Sequence, residues 1–173
     1  MPQISIQRAR VLRAVGLAAM LALLTAGTAL ADAGGRGTVT TTQQFRDIAL
    51  FPPQSMTNPC TGATGTLTAI AKTAIFHATT FTSGPELFWF TGTDEGTVTF
   101  TPDDPSGVSA TGHYAEWFGE SFNNQNDVQH FTSTFRLKGS DGSSIVVHEV
   151  THFSVNANGV ITVNFVKPSV HCG

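Results

Sequence analysis

Alternation is the pattern that recurs along this chain. From Val128 to Lys138, Phe131, Phe135 and Leu137 fall on one side of an extended backbone, and His130, Thr132, Thr134, Arg136 and Lys138 fall on the other. A period of two marks a half-buried β-strand, because successive side chains leave opposite faces of the pleat. Less regular alternation gives further strands over Phe45–Phe51, Thr66–Thr79, Glu86–Phe100, Val108–Phe122, Ser144–Val155 and Val160–Val166. In Thr66–Thr79 neither side is cleanly apolar. Ile70, Ala74 and Phe76 share one side, while Leu67 and Ile75 share the other with Phe81 just beyond. In Glu86–Phe100, Phe88 and Phe90 oppose Leu87 and Trp89.

The breaks between these runs are made of turn residues. Pro52-Pro53, Asn58-Pro59-Cys60-Thr61-Gly62, Ser83-Gly84-Pro85, Pro102 to Gly107, Asn123 to Asp127, Gly139-Ser140-Asp141-Gly142 and Asn156-Ala157-Asn158-Gly159 each stop a strand, and Pro168 stops the last. Short turns between strands, with no helical period, predict an all-β domain. The expected form is a single antiparallel up-and-down β-barrel of seven or eight strands, with a two-sheet β-sandwich as the alternative. The count depends on Glu86–Phe100, which is either one bent strand or two strands turning at Asp94-Glu95-Gly96.

The first residues follow a different logic. Arg8, Arg10 and Arg13 precede an apolar run from Val15 to Leu24, and Ala29-Leu30-Ala31 offers a small-x-small cleavage site. That order is a secretory signal peptide over residues 1–31, and its apolar run is short for a membrane span. Residues 32–42 are Gly- and Thr-rich and read as a flexible tail, which leaves 43–173 as one antiparallel β-domain. No later stretch is apolar for long enough to cross a bilayer. The expected product is a secreted, extracellular monomer. Without the signal peptide the chain keeps all twelve acidic residues and loses three of nine basic ones. An acidic domain without basic clusters is a poor partner for nucleic acid or for an anionic membrane.

Both cysteines, Cys60 and Cys172, lie in the exported part, where one disulfide is the default. In an up-and-down array the Cys60 loop sits at the end where the first strand finishes. A seventh strand would finish at that same end and deliver Cys172 to it. An eighth would require the Pro52–Pro59 connection to run back along the domain, which at roughly 3.3 Å per residue it can. The disulfide thus slightly favours Glu86–Phe100 as one bent strand.

His148-Glu149-Val150-Thr151-His152 matches the H-E-x-x-H pattern of zinc metallopeptidases. The zinc chemistry needs a helix, because only a helical period stacks positions i and i+4. On a strand the two histidines share a face but stand roughly 13 Å apart, too far for both to bind one ion at about 2.0–2.1 Å. Six of the eleven residues from Ile145 to Val155 are β-branched, a helical penalty of about 2–4 kcal/mol in sum. No capping box precedes the segment, and no Asp or Glu follows Glu149 to serve as a third ligand. The motif is therefore read as a strand, with the metallopeptidase as a minor alternative.

Other chemistry is sparse. His77, His113, His130, His148, His152 and His171 could cluster only through strand pairing, which the sequence does not specify. No Gly-x-Ser-x-Gly elbow is present, and nothing ties Glu116 to Glu149 as an acid/base pair. Trp89, Tyr114, Trp117, Phe118 and the phenylalanines could line a cavity, as side chains inside small barrels do. The candidate ligand-binding residues are Tyr114, Glu116, Trp117, His148 and His152. No catalytic residue, metal ligand or cofactor is assigned.

The run Asn58-Pro59-Cys60-Thr61-Gly62 after a short first strand, then His77-Ala78-Thr79, Gly112-His113-Tyr114, Asn156-Ala157-Asn158-Gly159 and the near-terminal Cys172, resembles small secreted actinobacterial β-proteins. The likeness covers most of residues 43–173, with Ala63 standing where an acidic residue is expected. It implies export, a β-fold and a disulfide, and transfers no catalytic residue. The expectation is a non-catalytic, disulfide-stapled β-domain that binds a small apolar ligand. An interaction or structural role with a cell-envelope protein is the alternative.

Overall fold

The computed structural model describes residues 37–81, 88–123 and 125–173. The signal-peptide expectation and the Ser83-Gly84-Pro85 turn lie outside these residues. Eight strands form the domain: β1 Thr38–Phe45, β2 Gln54–Thr57, β3 Thr64–Phe81, β4 Phe88–Pro102, β5 Ala110–Phe122, β6 Asn126–Gly139, β7 Ser144–Asn156 and β8 Ile161–Cys172. They make one antiparallel sheet in the order β1-β3-β4-β5-β6-β7-β8, with β2 on β3 beyond the end of β1. β4 is one continuous strand with no turn at Asp94-Glu95-Gly96.

The sheet is strongly rolled. Cys60 follows β2 on one edge and Cys172 ends β8 on the other. A flat sheet would hold those edges about 29 Å apart, six strand spacings. The Cys60–Cys172 disulfide instead brings their Cα atoms to 5.8 Å. Rolling gives the sheet a concave face, on which two apolar clusters form. Near the disulfide, Ala69, Val98, Phe100, Ala110, Tyr114, Leu137 and Ile145 pack with Met56, Cys60 and Leu67. Farther along, Ala71, Ala74 and Phe76 pack with Phe45, Ile48, Phe90 and Phe118.

The expected barrel is not closed. Among the described residues β8 pairs only with β7, and β1 only with β3. The up-and-down order explains the seam, since β1, β2 and β8 all run in the same direction. Closure would need a parallel ladder, for which no pairing exists. β8 is accordingly exposed along both faces, including Val166 and Val170 on the concave side.

Three further departures have local causes. A bulge between Ala71 and Thr73 leaves Lys72 outside the ladder and reverses the alternation of β3. Ala69 and Ala71 before it, and Ala74, Phe76 and Ala78 after it, all face inward, so Ile70 and Ala74 lie on opposite faces rather than together. The edge chain kinks opposite the bulge at Asp47, whose φ of 52° is left-handed. There Asp47 accepts an exposed ion pair from Lys72 at 2.6 Å. Thr38–Thr42, expected in the tail, form the first five of the eight residues of β1, their pattern hidden because threonine serves on either face. Pro168 does not stop the last strand, because β8 is an edge strand where a missing N–H is tolerated.

Candidate functional site

Strand register builds a polar rung across the concave face. Asp94 on β4 stands opposite Glu116 on β5, Glu116 opposite Ser133 on β6, and Ser133 opposite Glu149 on β7. Asp94 and Ser133 are buried, at 3% and 4% exposure, and both glutamates are half-buried. Directly opposed side chains on one face have Cβ atoms about 4.5–5.5 Å apart, so Asp94 and Glu116 are close neighbours, and Glu149, beyond Ser133, still acts on Glu116 by charge.

The rung lies between the two apolar clusters. On the disulfide side Tyr114 stacks on Phe135 at 5.8 Å between ring centroids. On the other side Phe118 stacks on Phe90 at 5.5 Å and meets Phe76 at 5.8 Å. Gly92 makes the second arrangement possible: a Cβ there would collide with the Phe118 and Phe76 rings. The small residue on β4 thus seats an aromatic wall beside Asp94.

These surroundings disfavour negative charge. Burial, then the charges of Asp94 and Glu149, push the Glu116 carboxyl up to about 8. Burial raises Asp94 to about 6, with the nearby Tyr114 hydroxyl pulling the other way. Tyr114 is held well above its ordinary value by burial and by Asp94. The Tyr114 hydroxyl lies close enough to Asp94 for the two to shift each other, without completing a hydrogen bond. Both Asp94 carboxylate oxygens and the Tyr114 oxygen are buried without a partner. At neutral pH the rung therefore offers a protonated Glu116 as a donor and unsatisfied oxygens as acceptors.

The convex face carries different chemistry. All six histidines project there, alternating in register with the concave residues of their strands. His77 is hydrogen-bonded to Thr42 at 2.8 Å, and His148 to Thr134 at 2.9 Å. A line of rings crosses β5 to β8: Trp117 to His130 at 6.3 Å, His130 to His152 at 4.0 Å, and His152 to Phe165 at 5.7 Å. Trp117 lies along its strand over Gly119, where an added Cβ would sit 3.3 Å from the indole. Burial and the neighbouring His152 hold His130 below its ordinary value. A shallow, charged groove of about 450 Å³ lies nearby, lined in part by Lys72, Glu95, His113 and Arg136.

The five sequence candidates divide between the faces. Tyr114 and Glu116 meet on the concave side, whereas Trp117, His148 and His152 lie on the convex side. The H-E-x-x-H segment is strand β7, with no helix to stack its histidines, and Glu149 points to the opposite face. The metallopeptidase geometry is therefore absent from this segment. Sequence reasoning missed Asp94, which it placed in a possible turn, and Ser133. The signal for Asp94 was present: it shares a parity with Phe88, Phe90, Val98 and Phe100, the inward residues of β4. No known protein family matches the chain, and no curated protein or solved structure matches it.

Proposed function

We propose that this is an exported, non-catalytic β-domain that holds a small, largely apolar ligand against its concave face. The ligand's polar end would rest on Asp94, Glu116 and Tyr114. One observation carries the reading: buried oxygens of Asp94 and Tyr114 lie unpartnered between two apolar clusters. A buried polar group left unpaired costs about 1–3 kcal/mol, and a ligand hydroxyl or amide would remove that cost. The aromatic walls on either side suit a hydrocarbon body, and the exposed concave side of β8 leaves a way in. The disulfide and the likeness to small secreted actinobacterial β-proteins support export.

Thermal unfolding with a panel of fatty acids, long-chain alcohols, sterols and isoprenoid alcohols tests this reading. At least one class should raise Tm, and Asp94→Asn or Glu116→Gln should shrink that rise. A panel that leaves Tm unmoved would sink the proposal. A second reading, an interaction protein of the cell envelope, is favoured by Trp89 and Trp117, which are 57% and 43% exposed on the convex face. Cross-linking on intact cells should then capture a defined partner, lost in Trp89→Ala with Trp117→Ala. An unchanged capture in that double variant would exclude it.

A further inference from the structure

The geometry points to a surface site for a late first-row divalent metal ion, Cu²⁺ or Zn²⁺, held by His130 and His152 across the β6–β7 ladder. The two residues are direct register partners, and both project from the convex face. Their ring centroids are 4.0 Å apart, with the planes inclined at 55°. Two ligands bound to one ion at about 2.1 Å can stand at most roughly 4.2 Å apart. Rings this close bring their nitrogens into that range with small side-chain rotations.

No other histidine pair has this arrangement. His148 lies on the same strand as His152, about 13 Å away, and is already hydrogen-bonded to Thr134. His77 is engaged with Thr42. His113 and His171 share a rung but are separated by Arg136 and Val146. Trp117 and Phe165 flank the chosen pair on either side, and His130 is exposed, so the direction away from the sheet is open to water. Lys167 on β8 is turned over the Phe165 ring, 5.4 Å from its centroid.

The donor set defines the ion. Imidazole nitrogens suit copper, nickel and zinc, with Cu²⁺ bound most tightly along the divalent series. Hard Mg²⁺ and Ca²⁺ prefer oxygen donors. Among the described residues no three His, Cys, Asp or Glu side chains converge. Water would complete the coordination, as at an exchangeable or substrate-accepting site rather than a closed structural one. This inference is independent of the concave-face proposal.

The test is a Cu²⁺ titration of the purified protein, followed by calorimetry and by quenching of Trp117, whose ring lies 6.3 Å from His130. Binding should saturate near one equivalent, Zn²⁺ should compete and Mg²⁺ should not. Electron paramagnetic resonance of the Cu²⁺ complex should show two coordinated nitrogens. Losing one of two tethered ligands forfeits their effective concentration, so His130→Ala and His152→Ala should each weaken binding by about 10²-fold. His148→Ala should leave affinity unchanged, and Trp117→Phe should remove most of the quenching while preserving the calorimetric signal. Circular dichroism checks that each variant is folded. Parent-like Cu²⁺ affinity in folded His130→Ala and His152→Ala would overturn the assignment. So would quenching without saturation, or a loss of affinity that follows His148→Ala instead.

Discussion

The two faces of the sheet are written in the same strands, one residue out of step, and their chemistry differs completely. The concave face holds Asp94, Glu116 and Glu149 between aromatic clusters, where burial raises the first two carboxyls. The convex face holds every histidine, both tryptophans and a line of rings open to water. Neighbours in sequence therefore belong to different sites, as His148 and Glu149 do. Residues far apart in sequence share one, as His130 and His152 do. In a rolled sheet the unit of function is the rung rather than the run.

The contrast between faces depends first on the roll, whose two edges the disulfide ties together. Removing it with Cys60→Ser and Cys172→Ser should have the largest effect. The bond closes a separation of 112 residues, a constraint worth about 4–5 kcal/mol on the chain-entropy account. Urea unfolding of the double variant should show a midpoint far below the parent's, and reductant should reproduce the loss. A parent-like midpoint would mean that packing alone holds the roll.

The next effect separates the faces by charge. The folded-state values of Asp94 and Glu116, about 6 and about 8, lie above their ordinary 3.8 and 4.5. The folded protein therefore binds more protons than the unfolded chain between those limits, and stability falls as pH rises through them. The protonated forms stabilise fully below about pH 4, and that contribution is lost by about pH 8–9. Unfolding measured from pH 4 to 9 should show this decline. Glu116→Gln should flatten the curve and make the protein more stable than the parent at the alkaline end. A parent-like pH slope in that variant would show that Glu116 is not shielded from water.

The smallest test makes one substitution on each side. Gly92→Ala drives a methyl group into the Phe118 and Phe76 rings on the concave face, and overpacking of this kind costs about 1–3 kcal/mol. Gly119→Ala meets the edge of the exposed Trp117 ring and, at ordinary contact distance, the Thr91 methyl, so its change should stay within about 0.5 kcal/mol. Equal losses at the two glycines would erase the distinction drawn between a packed face and an open one.

Much of the architecture was legible because alternation is a local signal. β6 shows it plainly, and its inward and outward residues are those its period assigns. The strand nature of His148–His152 was legible from β-branching, and the disulfide from the cysteine positions. Three things were not. The bulge at Lys72 shifts the phase of β3, so a strict period of two groups Ile70 with Ala74 across a face boundary. Closure of the sheet depends on strand direction at its edges, which no single strand encodes. The rung of Asp94, Glu116, Ser133 and Glu149 exists only through register, set by turn lengths over four strands.

The placement of the cysteines at opposite ends of the meander has a consequence for how the chain acquires its structure. From β3 to β8 every ladder joins strands adjacent in sequence, so pairing can proceed hairpin by hairpin with short loop closures. Cys60 and Cys172 meet only when the whole series is in register and curled. Oxidation of this pair is thus a late event that records completed folding, and a slipped hairpin would leave two free thiols behind. Trapping thiols during refolding would read the progress of the entire sheet from one chemical group.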